Sequence, residues 1–471
     1  MDWLARQVRK RAAAPALADH ESVMTWSELA AAAAVAGERL QAHGIGPGTN
    51  VLWEAHATGT SLAWLHGAFR VGATILPFRP GLAIAARRAL ADRSGAAVHL
   101  STDGAALGRE AVRDLAMVDP TNGAASGSVP APVDPERTAT LMPTSGSGGP
   151  AKLVPLRWRH HEASVRAIRR RLALSADDRW LVCLPLHHIG GLAIVLRAAF
   201  TGACVSLHER FDAERVAEAL EQASITHASL VPTQLRRIVA ALDHPLTGSL
   251  RCVLVGGAAA EPELLSQARA LGLPVVPTWG MTEAGSQLAT PSLAEARSTD
   301  FTARPGLVGR PLDGVEVRTA GIAGRGDELQ VRAASLFEGY ADSPGGPDDD
   351  GWFATGDRGV IERDGGLRII GRTSDRIISG GENVDPRAIE RALRDAGLVD
   401  EVSVFGVPDA EWGERVAAVV VSRHDVDVLA RWARTHLEPH ERPRRWRHVE
   451  RMPQTDSGKP DRGALVRLLD D

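Results

Sequence analysis

Lysine, cysteine and tyrosine are all scarce in this 471-residue sequence, and long uncharged apolar runs do not occur. The three cysteines, Cys183, Cys204 and Cys252, lie far apart and match neither disulfide nor metal-ligand spacing. That excludes a disulfide-stapled secreted scaffold and fits a reducing compartment, with the cytoplasm as the expected location. The amino terminus, MDWLARQVRKRAAAPAL, carries charges where an export signal needs an apolar core. No later window reaches the roughly 18 uncharged apolar residues of a spanning helix, so no membrane partner is expected. A formal net charge of -4 offers no overall attraction to nucleic acid or to an anionic bilayer. A small molecule is the expected partner, and a homo-oligomer is compatible with this composition. One tyrosine and eight phenylalanines decide nothing about an aromatic substrate.

The shortage of lysine is the most informative. Of 54 lysines and arginines only Lys10, Lys152 and Lys459 are lysines, which leaves 51 arginines. Where lysine persists against that bias, a compact ammonium that can enter a tight phosphate or carboxylate site is indicated, because a planar guanidinium does not replace it. Lys152 and Lys459 both sit inside motifs.

What is present is 44% hydrophobic residues on a chain long enough for a large domain and a smaller one. From residue 27 to about 290, apolar runs such as VLWEA, TILPF, LVCLPL, CVSLH, HASLVP and CVLVGG alternate with alanine-rich helical patterns. Strand then helix, repeatedly, predicts an α/β fold of parallel sheets covered by helices. Residues 314–370 hold shorter, turn-rich runs and predict a β-rich subdomain. After Gly371 the pattern restarts, with helices expected at 385–396, at 426–437 and after Asp461, and strands at EVSVFGV and RVAAVVV. This predicts a large domain, 1–371, and a small α+β domain, 372–471. The stretch 125–136, rich in small residues and proline, reads as an exposed connection.

Thr144-Ser-Gly-Ser-Gly-Gly-Pro-Ala-Lys152 follows an apolar run and is dense in hydroxyls and backbone N–H groups able to wrap a polyphosphate, with Lys152 as counter-charge. Short Gly/Ser loops are common, and the retained lysine is what tips this one toward function. It is not a P-loop, which needs Gly before the lysine and Ser or Thr after it; here Ala151 and Leu153 stand there.

TSGSGGPAK resembles the phosphate loop of the adenylate-forming superfamily of acyl-CoA ligases, luciferases and peptide-synthetase adenylation domains. Thr278-Trp-Gly-Met-Thr-Glu283 is similar to its aromatic-Gly-x-Thr-Glu motif, and Ala354-Thr-Gly-Asp357 to its Thr-Gly-Asp motif. Gly371-Arg-Thr-Ser-Asp375 looks like its hinge and Thr455-Asp-Ser-Gly-Lys459 like its terminal lysine motif. Each string alone is weak; all of them in order, together with an opening helix and strand, cover essentially the whole chain. The resemblance implies ATP, Mg2+ and coenzyme A, and a small domain that rotates near Ser374 and Asp375 between half-reactions. It places Thr144, Ser145, Gly146, Ser147 and Lys152 at the phosphates, Thr282 at the α-phosphate and Glu283 at the metal. Gly257 and Ala258 fall on the adenine side, with Trp279 in place of the usual stacking Tyr and Gly280 beside it. Asp357 and Arg372 fall near the ribose, and Lys459 bridges the substrate carboxylate and the α-phosphate. Gly380 and Gly381, in SDRIISGGEN, border the coenzyme A side. Gly148 stands where Ser or Thr is common, and Ala151 where Pro is, which predicts slower adenylation but not inactivity.

Within the superfamily, LPLHHIGG, the Val231-Pro-Thr segment, Ser286-Gln287 and SDRIISGGEN look most like o-succinylbenzoate:CoA ligases of menaquinone biosynthesis. His188 falls on an acyl-pocket His, His187 where Phe is usual, and Arg197 on a basic position suited to a second carboxylate. Two other readings stand beside a CoA ligase. An enzyme loading a carrier protein often adjoins a carrier domain, and none is visible; a non-catalytic relative is expected to have lost Lys459 or Glu283.

Overall fold

The computed structural model describes residues 2–104, 106–108, 112–121, 133–144, 151–222, 224–304, 306–322, 326–375, 377–379, 382–409, 412–455 and 460–470. Two sheets form the bulk of the large amino-terminal part. A six-stranded sheet runs in the order Arg113–Ala116, Val98–Ser101, Asn50–Glu54, Thr74–Phe78, Thr138–Pro143, Leu153–Arg157. Its neighbours are parallel except for the last pair, a hairpin. A seven-stranded sheet runs Val275–Pro277, Cys252–Val255, His227–Leu230, Arg179–Val182, Cys204–Leu207, Pro15–Ala18, Val23–Thr25.

The apolar runs become strands because helices cover both faces, so every position must be buried. Thr74–Phe78, His227–Leu230 and Cys252–Val255 are buried at each residue. The alanine-rich pattern becomes Trp26–Ala42, started by a capping box of Thr25 and Glu28. Its small residues let Gly59–Arg70 approach so closely that a Cβ on Gly67 would lie 2.8 Å from the Ala36 Cβ.

The expected β-rich region is an antiparallel meander of Val315–Ile322, Gly326–Ala333, Phe353–Ile361 and Leu367–Arg372. A 3-10 turn at Thr373–Asp375 follows. The remaining chain has strands Glu401–Asp409 and Gly413–Val421, helices Pro386–Asp395, Val426–His436 and Arg462–Asp470, and its own core around Ile377, Val384, Ile389, Leu393 and Val416. Among the described residues no helix is long and apolar enough to cross a membrane.

Two features add detail to the sequence expectation. Residues before 27 also belong to the fold: helix Trp3–Arg11 precedes strand Pro15–Ala18, which pairs parallel with Cys204–Leu207, Leu17 opposite Val205. In the SDRIISGGENV stretch, Ile377–Ser379 and Glu382–Val384 pair as antiparallel strands. Residues 122–132, most of the expected exposed connection, lie outside the described residues.

Candidate active site

The carboxyl ends of the parallel strands in the seven-stranded sheet are where a ligand crevice is expected in an open α/β sheet. Strand Cys252–Val255 ends there in Gly256 and Gly257. A Cβ on Gly256 would lie 2.6 Å from Thr278 Cγ2, and Gly257 takes a φ of 79°, so both positions need glycine. Gly257 and Ala258 are exposed at this edge. The next strand, Val275–Pro277, leads into the hairpin Trp279–Met281 with Ser286–Ala289, whose tip is the 3-10 turn Thr282–Ala284. Gly280 is where the two arms touch: a Cβ there would sit 1.9 Å from the Ser286 carbonyl oxygen.

This hairpin carries three polar clusters. First, Trp279 Nε1 donates to Asp357 Oδ2 at 2.8 Å, and Arg372 Nε donates to Asp357 Oδ1 at 2.8 Å. Asp357 and Arg372 face each other across the meander, which puts the Thr-Gly-Asp and hinge motifs beside the aromatic one. The indole is a departure from expectation. Trp279 is only 6% exposed and bound through its N–H to the carboxylate, so it presents little open face. Each carboxylate oxygen retains a second lone pair for a further donor.

Second, Glu283 Oε1 accepts from the Tyr340 hydroxyl at 2.8 Å. Oε2 receives no hydrogen bond from the described residues, which suits a hard oxygen ligand for Mg2+. The ammonium of Lys152 stands 4.3 Å from the centre of the Tyr340 ring. Lys152 also pairs with Thr144, and these two residues bracket the expected phosphate loop. Thr144 N donates to the Lys152 carbonyl at 2.9 Å, and Lys152 N donates to Thr144 Oγ1 at 3.1 Å. The ends of the loop are therefore tied, as continuations of the hairpin Thr138–Pro143 with Leu153–Arg157.

Third, Arg197, on helix Ile189–Thr201, is 2% exposed and donates to Ser286 Oγ at 3.2 Å. Its guanidinium lies 5.4 Å from the Trp180 ring, and among the described residues no carboxylate pairs with it. Burial pushes its pKa down to about 10, which still leaves it charged at neutral pH. Ser286 is held at a φ of 118°, uncommon for a residue with a Cβ, and among the described residues neither the nitrogen nor the oxygen of the buried Gln287 amide has a hydrogen-bond partner. Such a guanidinium and amide are groups poised for a polar ligand. His187 and His188 precede the same helix with ring centres 4.2 Å apart. Burial, then the neighbouring His188 and Arg79, pushes the His187 pKa to about 3, so this ring is neutral. A Cβ on Gly191 would lie 2.4 Å from the Pro185 carbonyl oxygen, so the chain can only fold back onto the helix start with glycine there.

The model for the AMP-binding enzyme family matches residues 4–341, and that for the AMP-binding enzyme C-terminal domain matches residues 388–459. The chain belongs to the AMP-binding enzymes. Among AMP-binding enzymes it is similar to 2-succinylbenzoate--CoA ligase of Bacillus licheniformis, with 38% identity over 331 residues, 68% of each protein. Its structure resembles o-succinylbenzoate CoA synthetase (MenE) of Bacillus subtilis in complex with the acyl-adenylate OSB-AMP, with a TM-score of 0.88 and 27% identity. That match covers 98% of this chain and 97% of the other. The same synthetase in complex with ATP and magnesium ion matches with a TM-score of 0.89 and 27% identity, over 100% and 99% of the two chains. The α/β architecture expected from the sequence is that of these structures.

Of the expected site residues of this AMP-binding enzyme, the hairpin gathers Trp279, Gly280, Thr282 and Glu283 with Asp357, Arg372, Thr144 and Lys152, and Arg197 joins through Ser286. Ser145, Gly146, Ser147 and Gly148, the pair Gly380 and Gly381, and Lys459 lie outside the described residues. Tyr340 was missed, although a signal existed: it is the chain's only tyrosine.

Proposed function

We propose that this AMP-binding enzyme joins o-succinylbenzoate to coenzyme A in two steps. In the first, a substrate carboxylate attacks the α-phosphorus of ATP, forming the acyl-adenylate and expelling pyrophosphate. In the second, the thiol of coenzyme A loses its proton and attacks the acyl carbon, releasing AMP and leaving the thioester. The observation that carries the choice of acid is Arg197, a buried guanidinium without a carboxylate partner among the described residues. A buried cation is costly unless paired. An acid with a second carboxylate supplies that partner while its first reacts, and the relatives named for 2-succinylbenzoate agree with this reading.

The residues divide the work as follows. Thr144, Ser145, Gly146, Ser147 and Lys152 hold the pyrophosphate side, and Thr282 donates to the α-phosphate. Asp357, oriented by the Trp279 N–H, and Arg372 hold the ribose, and Gly257 and Ala258 flank the adenine beside Gly280. Glu283 would hold Mg2+, whose charge would offset the repulsion between two anionic reactants. Lys459 steadies the charge that develops as the carboxylate attacks. His187 and His188 line the acyl side, and Gly380 and Gly381 allow close approach of the pantetheine arm. Residues 1–371 act as the fixed body and 372–471 as the domain that turns about Asp375, where Arg462 Nη1 is 3.5 Å from Asp375 Oδ1. The reaction belongs in the cytoplasm, where ATP and coenzyme A are both supplied.

Incubating the protein with ATP, Mg2+, coenzyme A and o-succinylbenzoate, and following AMP and thioester by mass spectrometry, tests this. Thioester is expected from the parent and not from Lys459→Ala. AMP without thioester would point to another acceptor, and neither product would sink the choice of acid.

A further inference from the structure

The chain's single tyrosine belongs to a short segment, 337–342, that binds both halves of the nucleotide site. At one end, the Phe337 N–H donates to the Glu283 carbonyl at 2.8 Å and the Tyr340 hydroxyl donates to the Glu283 carboxylate at 2.8 Å. At the other, the Ala341 N–H donates to the Leu153 carbonyl at 2.9 Å, and Asp342 Oδ1 accepts from Leu153 N at 2.9 Å. Arg93 reaches both Asp342 and the Ala151 carbonyl, so the exit of the phosphate loop is held from two sides. Between these ends the Tyr340 ring receives the Lys152 ammonium on its face at 4.3 Å and the Phe337 ring at 4.8 Å in an edge-to-face contact. The ring is thus fixed in direction, and its hydroxyl can aim at one carboxylate oxygen only.

We propose that Tyr340 is a positioning residue that presets Glu283 for Mg2+ and ties that carboxylate to Lys152 of the phosphate loop. This rests on the reading of Glu283 as the metal ligand. A glutamate side chain in water samples many rotamers. A hydrogen bond to Oε1 restricts it to those with Oε2 turned outward, and metal-ligating carboxylates are themselves usually held this way. The cation–π contact gives Lys152 a fixed rest position without neutralising it, which leaves its charge for the polyphosphate. The two contacts are chemically separable, because the hydroxyl serves Glu283 and the ring serves Lys152.

The test is calorimetric binding of ATP to the full chain without acid or coenzyme A, as a function of Mg2+ concentration. Tyr340→Phe keeps the ring and removes the hydroxyl. It is expected to raise the Mg2+ concentration for half-maximal binding by on the order of 10-fold, in the range for loss of a group that orients a metal ligand. ATP affinity at saturating Mg2+ and the melting temperature are expected to stay near those of the parent. Tyr340→Leu is expected to weaken ATP binding at saturating Mg2+ as well. A merely structural role for the hydroxyl moves the melting temperature and not the Mg2+ dependence. Glu283→Gln separates this inference from its premise. If Glu283→Gln itself leaves the Mg2+ dependence unchanged, the premise fails. If Glu283→Gln shifts it and Tyr340→Phe does not, Tyr340 has no part in it. Adding Tyr340→Phe to Glu283→Gln is expected to cause no further shift, and additive shifts would overturn the coupling.

Discussion

Trp279 Nε1 donates to Asp357 Oδ2 at 2.8 Å, joining two motifs 78 residues apart in the chain. Each motif alone could be a turn; the bond places them side by side. A hydrogen bond to a charged acceptor contributes roughly 1.5–3 kcal/mol, and a buried carboxylate that loses one of two such donors loses its orientation as well. Trp279→Phe keeps an aromatic ring and removes the donor. The KM for ATP in pyrophosphate exchange is expected to rise about 10- to 100-fold, with the rate at saturating ATP much less affected. An unchanged KM would mean that Arg372 alone orients Asp357.

On the proposed reading, Arg197 sets substrate recognition against stability. Desolvating a guanidinium without an anionic partner is unfavourable, so a methionine of similar length is expected to leave the fold as stable or more stable. Losing the partner of a buried substrate carboxylate costs roughly 2–5 kcal/mol. Arg197→Met is therefore expected to lower kcat/KM for o-succinylbenzoate on the order of 100- to 1000-fold. Melting temperature and ATP binding should hold or improve. A variant that loses stability and activity together would assign Arg197 to the core and not to the substrate.

The parallel sheets were legible because their strands are apolar without interruption, and the restart after Gly371 because the pattern of strand and helix resumes there. The motifs that meet at the hairpin stood out because each needs unusual residues, and Lys152 because the chain has only three lysines. What was not legible depends on pairing across long distances. Pro15–Ala18 is a short apolar run whose strand character comes from Cys204–Leu207. The burial of Trp279 comes from the meander strand Phe353–Ile361, which places Asp357 beside it. Tyr340 lies in a turn-rich stretch without periodicity, and its role depends on Glu283 and Lys152 meeting there.

Buried histidines make the fold sensitive to acid. Burial pushes the pKa of His66 and His160 down to about 4 and that of His161 and His187 to about 3. An unfolded histidine titrates near 6.5, so below that pH the unfolded chain binds protons that the folded one refuses. The contribution of these groups is complete above roughly pH 6.5 and falls by about 1.4 kcal/mol per unit for each as the pH drops toward their folded values. Glu390 acts in the opposite sense: burial raises its pKa to about 7, so its contribution grows as the pH falls through that value. Four groups outweigh one. The unfolding free energy is expected to drop steeply between pH 6 and 5 in urea titrations, about 1.4 kcal/mol per unit less steeply in His161→Gln. A flat profile over that range would show these rings protonating in place.

Gly280 tests whether the hairpin holds the site in register. A Cβ there meets the Ser286 carbonyl oxygen at 1.9 Å and Gln287 Cα at 2.7 Å, both on the facing arm, so the arms must separate. Overpacking of this kind costs roughly 1–3 kcal/mol, and the displaced residues are the ones flanking Thr282, Glu283 and the Ser286 contact to Arg197. Small misplacements of reacting groups cost on the order of 100-fold in rate. Gly280→Ala is expected to lose at least that much adenylation while remaining folded. Gly365 is the matched control. Its φ is 81° and no atom lies within 4 Å of a Cβ built there, so Gly365→Ala adds backbone strain without a clash. That strain is roughly 1–2 kcal/mol, comparable to the overpacking cost, with adenylation expected at the parent rate. If both variants lose activity in proportion to their melting temperatures, global stability and not hairpin register governs the site.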